Sequence, residues 1–316
     1  MRILIVGAGA LGSYFGGSLK ESGNSVTLIS RNETHSHAII SDGLNLETNE
    51  LLKIINIKCI TPVEAKDLKP CFNYIFIFTK SKDTLNALES TKFLFNSSTT
   101  LVTLQNGIGN EEILSRYSEN VIYGCTTLPA DILKPGHVIS FGSHRTLFCP
   151  LSEKSRRSAQ TLNVLLNKCG IFSEVSDKIA YEIWRKAIFN SAINVICALT
   201  GCTPGEIAKS DDLLKLSKVV ATEGSRVAKA IGIEILETDI FDMIEMSITK
   251  HPDHKPSMLI DILNEKKTEI ESITGKIISS GKKANVQTPF NEVLYTLVKK
   301  REKNFCESKD QYYENQ

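Results

Sequence analysis

Short apolar runs without polar alternation punctuate the first half of the chain. Residues 3–6, 26–29, 74–78 and 100–104 are each a few residues long and rich in β-branched or aromatic side chains. Runs of this kind suit parallel strands covered on both faces. Helical stretches lie between some of them, at 12–21 and 82–90. This alternation predicts a doubly wound α/β domain. From 121 to 151 the pattern changes to strands broken by turns, and Lys134-Pro135-Gly136 marks a hairpin.

Past Ser176 the strand signals stop. Helices are predicted over 177–199, ending before Gly201, and over 211–231, closed by Gly232. Further helices are predicted over 238–250, 257–280 and 288–303. Thr288 stands where an N-cap belongs, with Pro289 at the first helical position. The tail after Asn304 is polar and reads as loose. The organisation expected is an α/β domain over 1–176 and an all-helical domain over 177–316.

Composition adds mainly exclusions. The 316 residues are 41% hydrophobic and 23% charged, with 37 basic and 36 acidic side chains and a net charge of +1. That profile is globular, and it offers no field to draw in nucleic acid or an anionic membrane. The eight cysteines form no C-x-x-C pair, so reduced thiols in a cytoplasmic enzyme are expected rather than disulfides or zinc. The apolar start is interrupted by glycines and lacks a basic leader region, so it is not read as a signal peptide. No 18-residue apolar stretch is present.

Gly7-Ala8-Gly9-Ala10-Leu11-Gly12 follows the first predicted strand and opens a helix. In such a G-x-G-x-x-G turn the first glycine permits the tight turn. The second lets backbone approach a pyrophosphate, and the third lets helix and strand pack closely. The phosphates would meet unpaired N–H groups at the helix N-terminus. A purely structural glycine turn is the competing reading, and the placement between strand and helix favours the dinucleotide site. The second strand leads to Arg31, where an NAD site would carry Asp or Glu. An arginine there suits a 2′-phosphate and points to NADPH.

The segment 187–199 is apolar on nearly all sides, yet Lys186, Asn190 and Asn194 recur every four residues on one face. Burying them unpartnered would be costly, so they either satisfy each other or line a cleft. The lysine favours the cleft. Asp261, Glu265 and Glu269 are likewise four apart and predict an acidic face on the 257–280 helix. Twelve helical residues span about 18 Å, which would keep Ser257 away from Glu269. His251 and His254 fall among Pro252, Asp253 and Pro256 and read as a solvated loop, so no metal site is expected. Two Asn-x-Ser/Thr sequons, at Asn32 and Asn96, carry no meaning in a cytoplasmic protein.

Taken in order, these segments resemble the ketopantoate reductase (2-dehydropantoate 2-reductase) family. The motifs are GAGALG, Lys80 after Phe76-Ile-Phe-Thr, Gln105-Asn106-Gly107-Ile-Gly109 and the stretch 124–130. With them come Trp184-Arg-Lys186 with Asn190 and Asn194, and Ser257-Met-Leu-Ile-Asp261 followed by Thr268-Glu269. The resemblance implies a Rossmann domain joined to a helical domain, an active site between them, and NADPH-dependent reduction of ketopantoate to pantoate in coenzyme A biosynthesis. It implies Lys186 as general acid, and Glu269 as an acid that contacts the cofactor and aids catalysis. It places Asn190, Asn194 and Ser257 on the substrate, Asn106 near both nicotinamide and substrate, Lys80 and the Ala130 backbone on the cofactor, and Arg31 as the basic residue favouring NADPH. A homodimer is compatible with it.

Two positions depart from the family pattern. Asp83 replaces a common glutamine on the cofactor side, and Pro204 stands where some members have a substrate-side asparagine. A same-fold reductase of another 2-oxo acid, and an NADPH-sensing protein without turnover, are the alternative readings.

Overall fold

The computed structural model describes residues 1–49, 51–142 and 144–314, with backbone only for 306–314. It falls into two compact units. One comprises Met1–Gln105 and Gly109–Ile179, the other Asn106–Ile108 and Ala180–Gln316.

The first unit begins with β1 (Arg2–Val6), α1 (Ala10–Glu21), β2 (Ser25–Ile29), α2 (Glu33–Asp42), β3 (Leu44–Thr48), β4 (Leu51–Ile55) and β5 (Lys58–Ile60). It continues through β6 (Tyr74–Ile77), α3 (Thr84–Thr91), β7 (Thr100–Thr103), α4 (Asn110–Leu114) and β8 (Val121–Thr126). It closes with β9 (Ala130–Lys134), β10 (His137–Ser140), β11 (Thr146–Pro150), α5 (Arg156–Lys168) and β12 (Ser173–Val175). The main sheet has the order β12-β11-β8-β7-β6-β1-β2-β5. From β5 to β8 every pairing is parallel, and only the β8–β11 pairing is antiparallel. The run β5-β2-β1-β6-β7-β8 is the doubly wound order, with its switch point beside β1.

Burial explains why these strands read as unbroken apolar runs. Ile3 and Ile5 of β1 join one core with Phe15, Leu28 and Phe76. Leu4 and Val6 point the other way, into a second core with Ile75, Ile77 and Leu88. Both faces are apolar because both are covered.

The expected hairpin is present as β9 and β10, antiparallel across the turn at Pro135-Gly136. Its partners were not foreseen. β10 pairs in parallel with β3, and β3 with β4, to give a separate sheet of order β4-β3-β10-β9. Leu44, Leu46 and Ile55 from that sheet share the core with Phe15 and Leu19 of α1, so α1 is covered by both sheets. The cysteines from Cys59 to Cys202 are free thiols, and Cys306 lies outside the described side chains. Burial pushes the Cys59 thiol up to about 11 and that of Cys197 to about 12, which makes both poor nucleophiles.

The second unit is helical. α6 (Ile179–Thr200) is followed by α7 (Pro204–Ala208), α8 (Asp211–Ala230), α9 (Glu237–Lys250), α10 (Ser257–Leu263), α11 (Lys276–Lys283) and α12 (Pro289–Glu314). Residues 257–280 are not one helix. α10 stops at Leu263, Glu265 takes a left-handed φ of 50°, and a π-helical turn, Glu271–Gly275, leads into α11. The cluster Asn264-Glu-Lys-Lys267 has no apolar side chain to hold a helix on the core, and the Lys266 N–H turns back to the Asp261 carbonyl at 2.8 Å. The acidic face over 261–269 therefore does not form. α12 runs on to Glu314 through the stretch expected to be loose; that stretch contains neither proline nor glycine to stop it. Among the described residues no helix is long and apolar enough to cross a membrane.

Candidate active site

In the first unit the three glycines do three different things. Gly7 has φ +102°, and a Cβ on it would meet the Phe78 and Thr79 backbone at 2.7 Å. A Cβ on Gly12 would lie 2.1 Å from the Gly7 carbonyl oxygen. Both positions demand glycine on steric grounds alone. Gly9 is different, because a Cβ there would meet nothing within 4 Å. Gly9 is the N-cap of α1 and offers no side-chain hydrogen bond to the first turn. The α1 N-terminus thus meets open space with its backbone donors uncapped. That is the cradle a pyrophosphate fits, with Ala8, Ala10 and Leu11 supplying backbone beside it.

Arg31 lies two residues past β2. Its guanidinium Nη2 donates to Asp83 Oδ2 at 2.8 Å. Asp83 ends a single helical turn, Ser81–Asp83, that follows Lys80. The buried Gln105 ties the loops after β6 and β7 together. Its Nε2 donates to the Thr79 carbonyl and to Thr84 Oγ1, and its Oε1 accepts from Thr103 Oγ1. Ala130 opens β9 and is half-buried.

In the second unit Lys186, Asn190 and Asn194 stand on successive turns of α6. The Lys186 ammonium donates to Asn106 Oδ1 at 2.7 Å, and Asn106 Nδ2 donates to Glu269 Oε2 at 3.2 Å. The asparagine amide is thereby oriented, oxygen to the lysine and nitrogen to the carboxylate. Asn190 and Asn194 are each 8% exposed, and no partner for either amide is found among the described residues. Neither amide is among the fully buried unpartnered side-chain atoms, so each keeps some access that a ligand could use. Ser257 opens α10, is exposed, and stands outside the Lys186–Asn106–Glu269 group.

The sequence matches the family description "Ketopantoate reductase PanE/ApbA" over residues 3–153 and its C-terminal counterpart over 178–302. The chain belongs to the ketopantoate reductase family. Relatives named 2-dehydropantoate 2-reductase include those of Pyrococcus abyssi, 35% identical, and Pyrococcus horikoshii, 37% identical. Each comparison covers 96% of this chain and 98% of the relative. Among solved structures, D-mandelate dehydrogenase in a ternary complex with NADH and anilino(oxo)acetate superposes with TM-score 0.91 at 32% identity, covering 96% of this chain and 99% of that one. A PanE/ApbA family ketopantoate reductase from Ralstonia eutropha gives 0.88 at 27% identity, with the same coverage.

Several residues that shape the site in this family member were not legible in the sequence. Glu302 on α12 accepts from both the N–H and the hydroxyl of Thr268, each at 2.7 Å, immediately before Glu269. Within Lys-Lys-Arg-Glu302-Lys it reads as one more solvated charge, yet it is 5% exposed. The segment carrying Asn106 is held by the Ile108 N–H, which donates to the Ser272 carbonyl at 2.8 Å. Gly107 has φ +92°, and a Cβ there would come within 2.6 Å of Ser272. Pro204, the departure noted above, is the first residue of α7, behind a Thr203–Glu206 capping box. Its place is explained by helix initiation.

Proposed function

We propose that this chain reduces 2-dehydropantoate (ketopantoate) to pantoate, with NADPH as the preferred hydride donor. Family membership supports the reaction class. The observation that carries the residue assignment is the chain Lys186–Asn106–Glu269 beside two buried asparagines. In this reading the first domain, 1–176, binds NADPH, and the second, 177–316, holds the substrate.

NADPH, when bound, supplies a hydride to the substrate's ketone carbon. The carbonyl π electrons then move to oxygen, and that oxygen needs a proton. Lys186 Nζ gives it and is reprotonated from solvent. Asn106 fixes the direction of the Lys186 side chain, and Glu269 anchors Asn106. Asn190, Asn194 and Ser257 hold the hydroxyl and carboxylate of the substrate. The glycine turn from Gly7 to Gly12 holds the pyrophosphate, Arg31 the 2′-phosphate, and Lys80 and the Ala130 backbone the rest of the cofactor.

A second reading has a specific support. The D-mandelate dehydrogenase structure, solved with NADH, superposes at the higher of the two TM-scores given above. In that reading the substrate is an aromatic 2-oxo acid and NADH serves as well. Oxidation of NADPH and NADH followed with ketopantoate, the 2-oxo acid of mandelate and other 2-oxo acids decides. The highest kcat/KM on ketopantoate with NADPH supports the proposal. A higher value on the aromatic acid overturns it. Cofactor binding without turnover of any acid would instead mark a sensing protein.

A further inference from the structure

We propose that Asp83 is a cofactor-specificity residue, holding down the preference for a 2′-phosphate so that the chain accepts both NADH and NADPH. This rests on the reading of the glycine turn as a dinucleotide site. β1 lies between β2 and β6 in the sheet, and the glycine turn follows β1. Arg31 follows β2, and Asp83 follows β6. Their ion pair, at 2.8 Å, joins the loops of the two strands that flank β1. A basic residue just past the second strand of such a unit is the one placed to meet an adenosine 2′-phosphate, where an acidic one would meet the ribose hydroxyls of NADH. Here both charges are present and paired with each other.

Two effects of Asp83 on Arg31 oppose one another. The Arg31 side chain is 63% exposed and that of Asp83 21%. The contact runs through Nη2 alone, so a further edge of the guanidinium still faces outward and is steadied by the pair. That positioning helps phosphate binding, but an exposed ion pair contributes little order. The charge effect works the other way. A carboxylate in contact with the guanidinium cancels much of its field and repels a phosphate that carries nearly two negative charges. With NADH neither cost arises, and Arg31 stays paired. The charge effect is therefore the larger, and the preference for NADPH is narrower than an unpaired arginine would give.

Asp83→Asn separates the two effects. The amide oxygen keeps accepting from Arg31, and only the charge is lost. Dissociation constants are measured by calorimetry for NADPH, NADH, 2′,5′-ADP and 5′-AMP on the full chain, with Asp83→Asn, Arg31→Ala and the double variant. Asp83→Asn is expected to tighten NADPH and 2′,5′-ADP by about 3- to 5-fold, the upper end of the scale of one exposed charge pair. NADH and 5′-AMP should stay within about twofold, and Arg31→Ala should abolish the gain. If Arg31→Ala weakens NADPH while Asp83→Asn leaves it unchanged or weaker, the inference alone is overturned. Equal tightening of all four ligands also overturns it. If Arg31→Ala leaves NADPH binding intact, the placement of the 2′-phosphate fails, and the role of Asp83 fails with it.

Discussion

The Lys186 ammonium donates a 2.7 Å hydrogen bond to the Asn106 side-chain oxygen across 80 residues of sequence. The lysine comes from a long buried helix and the asparagine from a three-residue excursion of the chain out of the first unit. As the proposed proton donor, Lys186 heads the polar face of α6, and Glu269 is the remaining candidate should it fail. Lys186→Ala should lower kcat by about 100- to 10,000-fold, the usual range for losing a general acid. NADPH affinity measured by calorimetry should survive. Near-normal kcat at saturating 2-oxo acid would remove Lys186 from the mechanism.

Asn190 and Asn194 are expected to act on substrate affinity. Contacts made equally in ground and transition states change KM more than kcat. Alanine at either position should raise KM for the 2-oxo acid by about tenfold or more, on the scale of one buried hydrogen bond, with kcat changing less. Unfolding of the variants, with normal KM in the folded fraction, would instead assign the pair a structural role.

Glu302 should matter for stability well beyond a surface charge. Its Oε1 accepts two hydrogen bonds from Thr268, and both residues are nearly fully buried. Glu302→Ala strands a buried N–H and a buried hydroxyl, at about 1–3 kcal/mol each. The urea unfolding midpoint should fall accordingly, while Glu302→Gln, which keeps an acceptor, should fall less. Equal midpoints for the two variants would contradict this.

His35 predicts a pH dependence. It is 1% exposed, its Nδ1 accepts from the Gly136 N–H at 3.0 Å, and its Nε2 lies 3.1 Å from Ser13 Oγ. The accepting Nδ1 requires the neutral ring, and burial holds the pKa below the ordinary 6.5. The unfolded chain therefore takes up this proton at higher pH than the folded one. The contribution of neutral His35 is complete above about pH 6.5 and is lost as pH falls from there toward the folded value. Stability measured from pH 7 down to 5 should fall less steeply in His35→Gln than in the parent. Parallel slopes would exclude the effect.

Much of the local chemistry and many of the regular elements could be read from neighbouring residues alone. The steric roles of Gly7 and Gly12 were legible because each follows from the absence of a side chain at a fixed spacing. Strands β1, β2, β6 and β7 were legible as short unbroken apolar runs, and helices α6, α8 and α9 by their helical patterning and end signals, whereas β3, β4 and β5 were not foreseen. Lys186, Asn190 and Asn194 were readable as one face because they share one helix. Tertiary structure decided what lies between elements. The break after Leu263 has a local sign in the polar run Asn264-Glu-Lys-Lys267, but the contact that seats the chain beyond it, Thr268 to Glu302, spans 34 residues and could not be read. The pairing of β10 with β3 depends on α1 offering a second face to cover. The link from Lys186 through Asn106 to Glu269 spans 80 and 163 residues. No local pattern encodes such distances. They are set when the helices of the second unit pack on a shared core, and side chains far apart in the chain are left within hydrogen-bond reach.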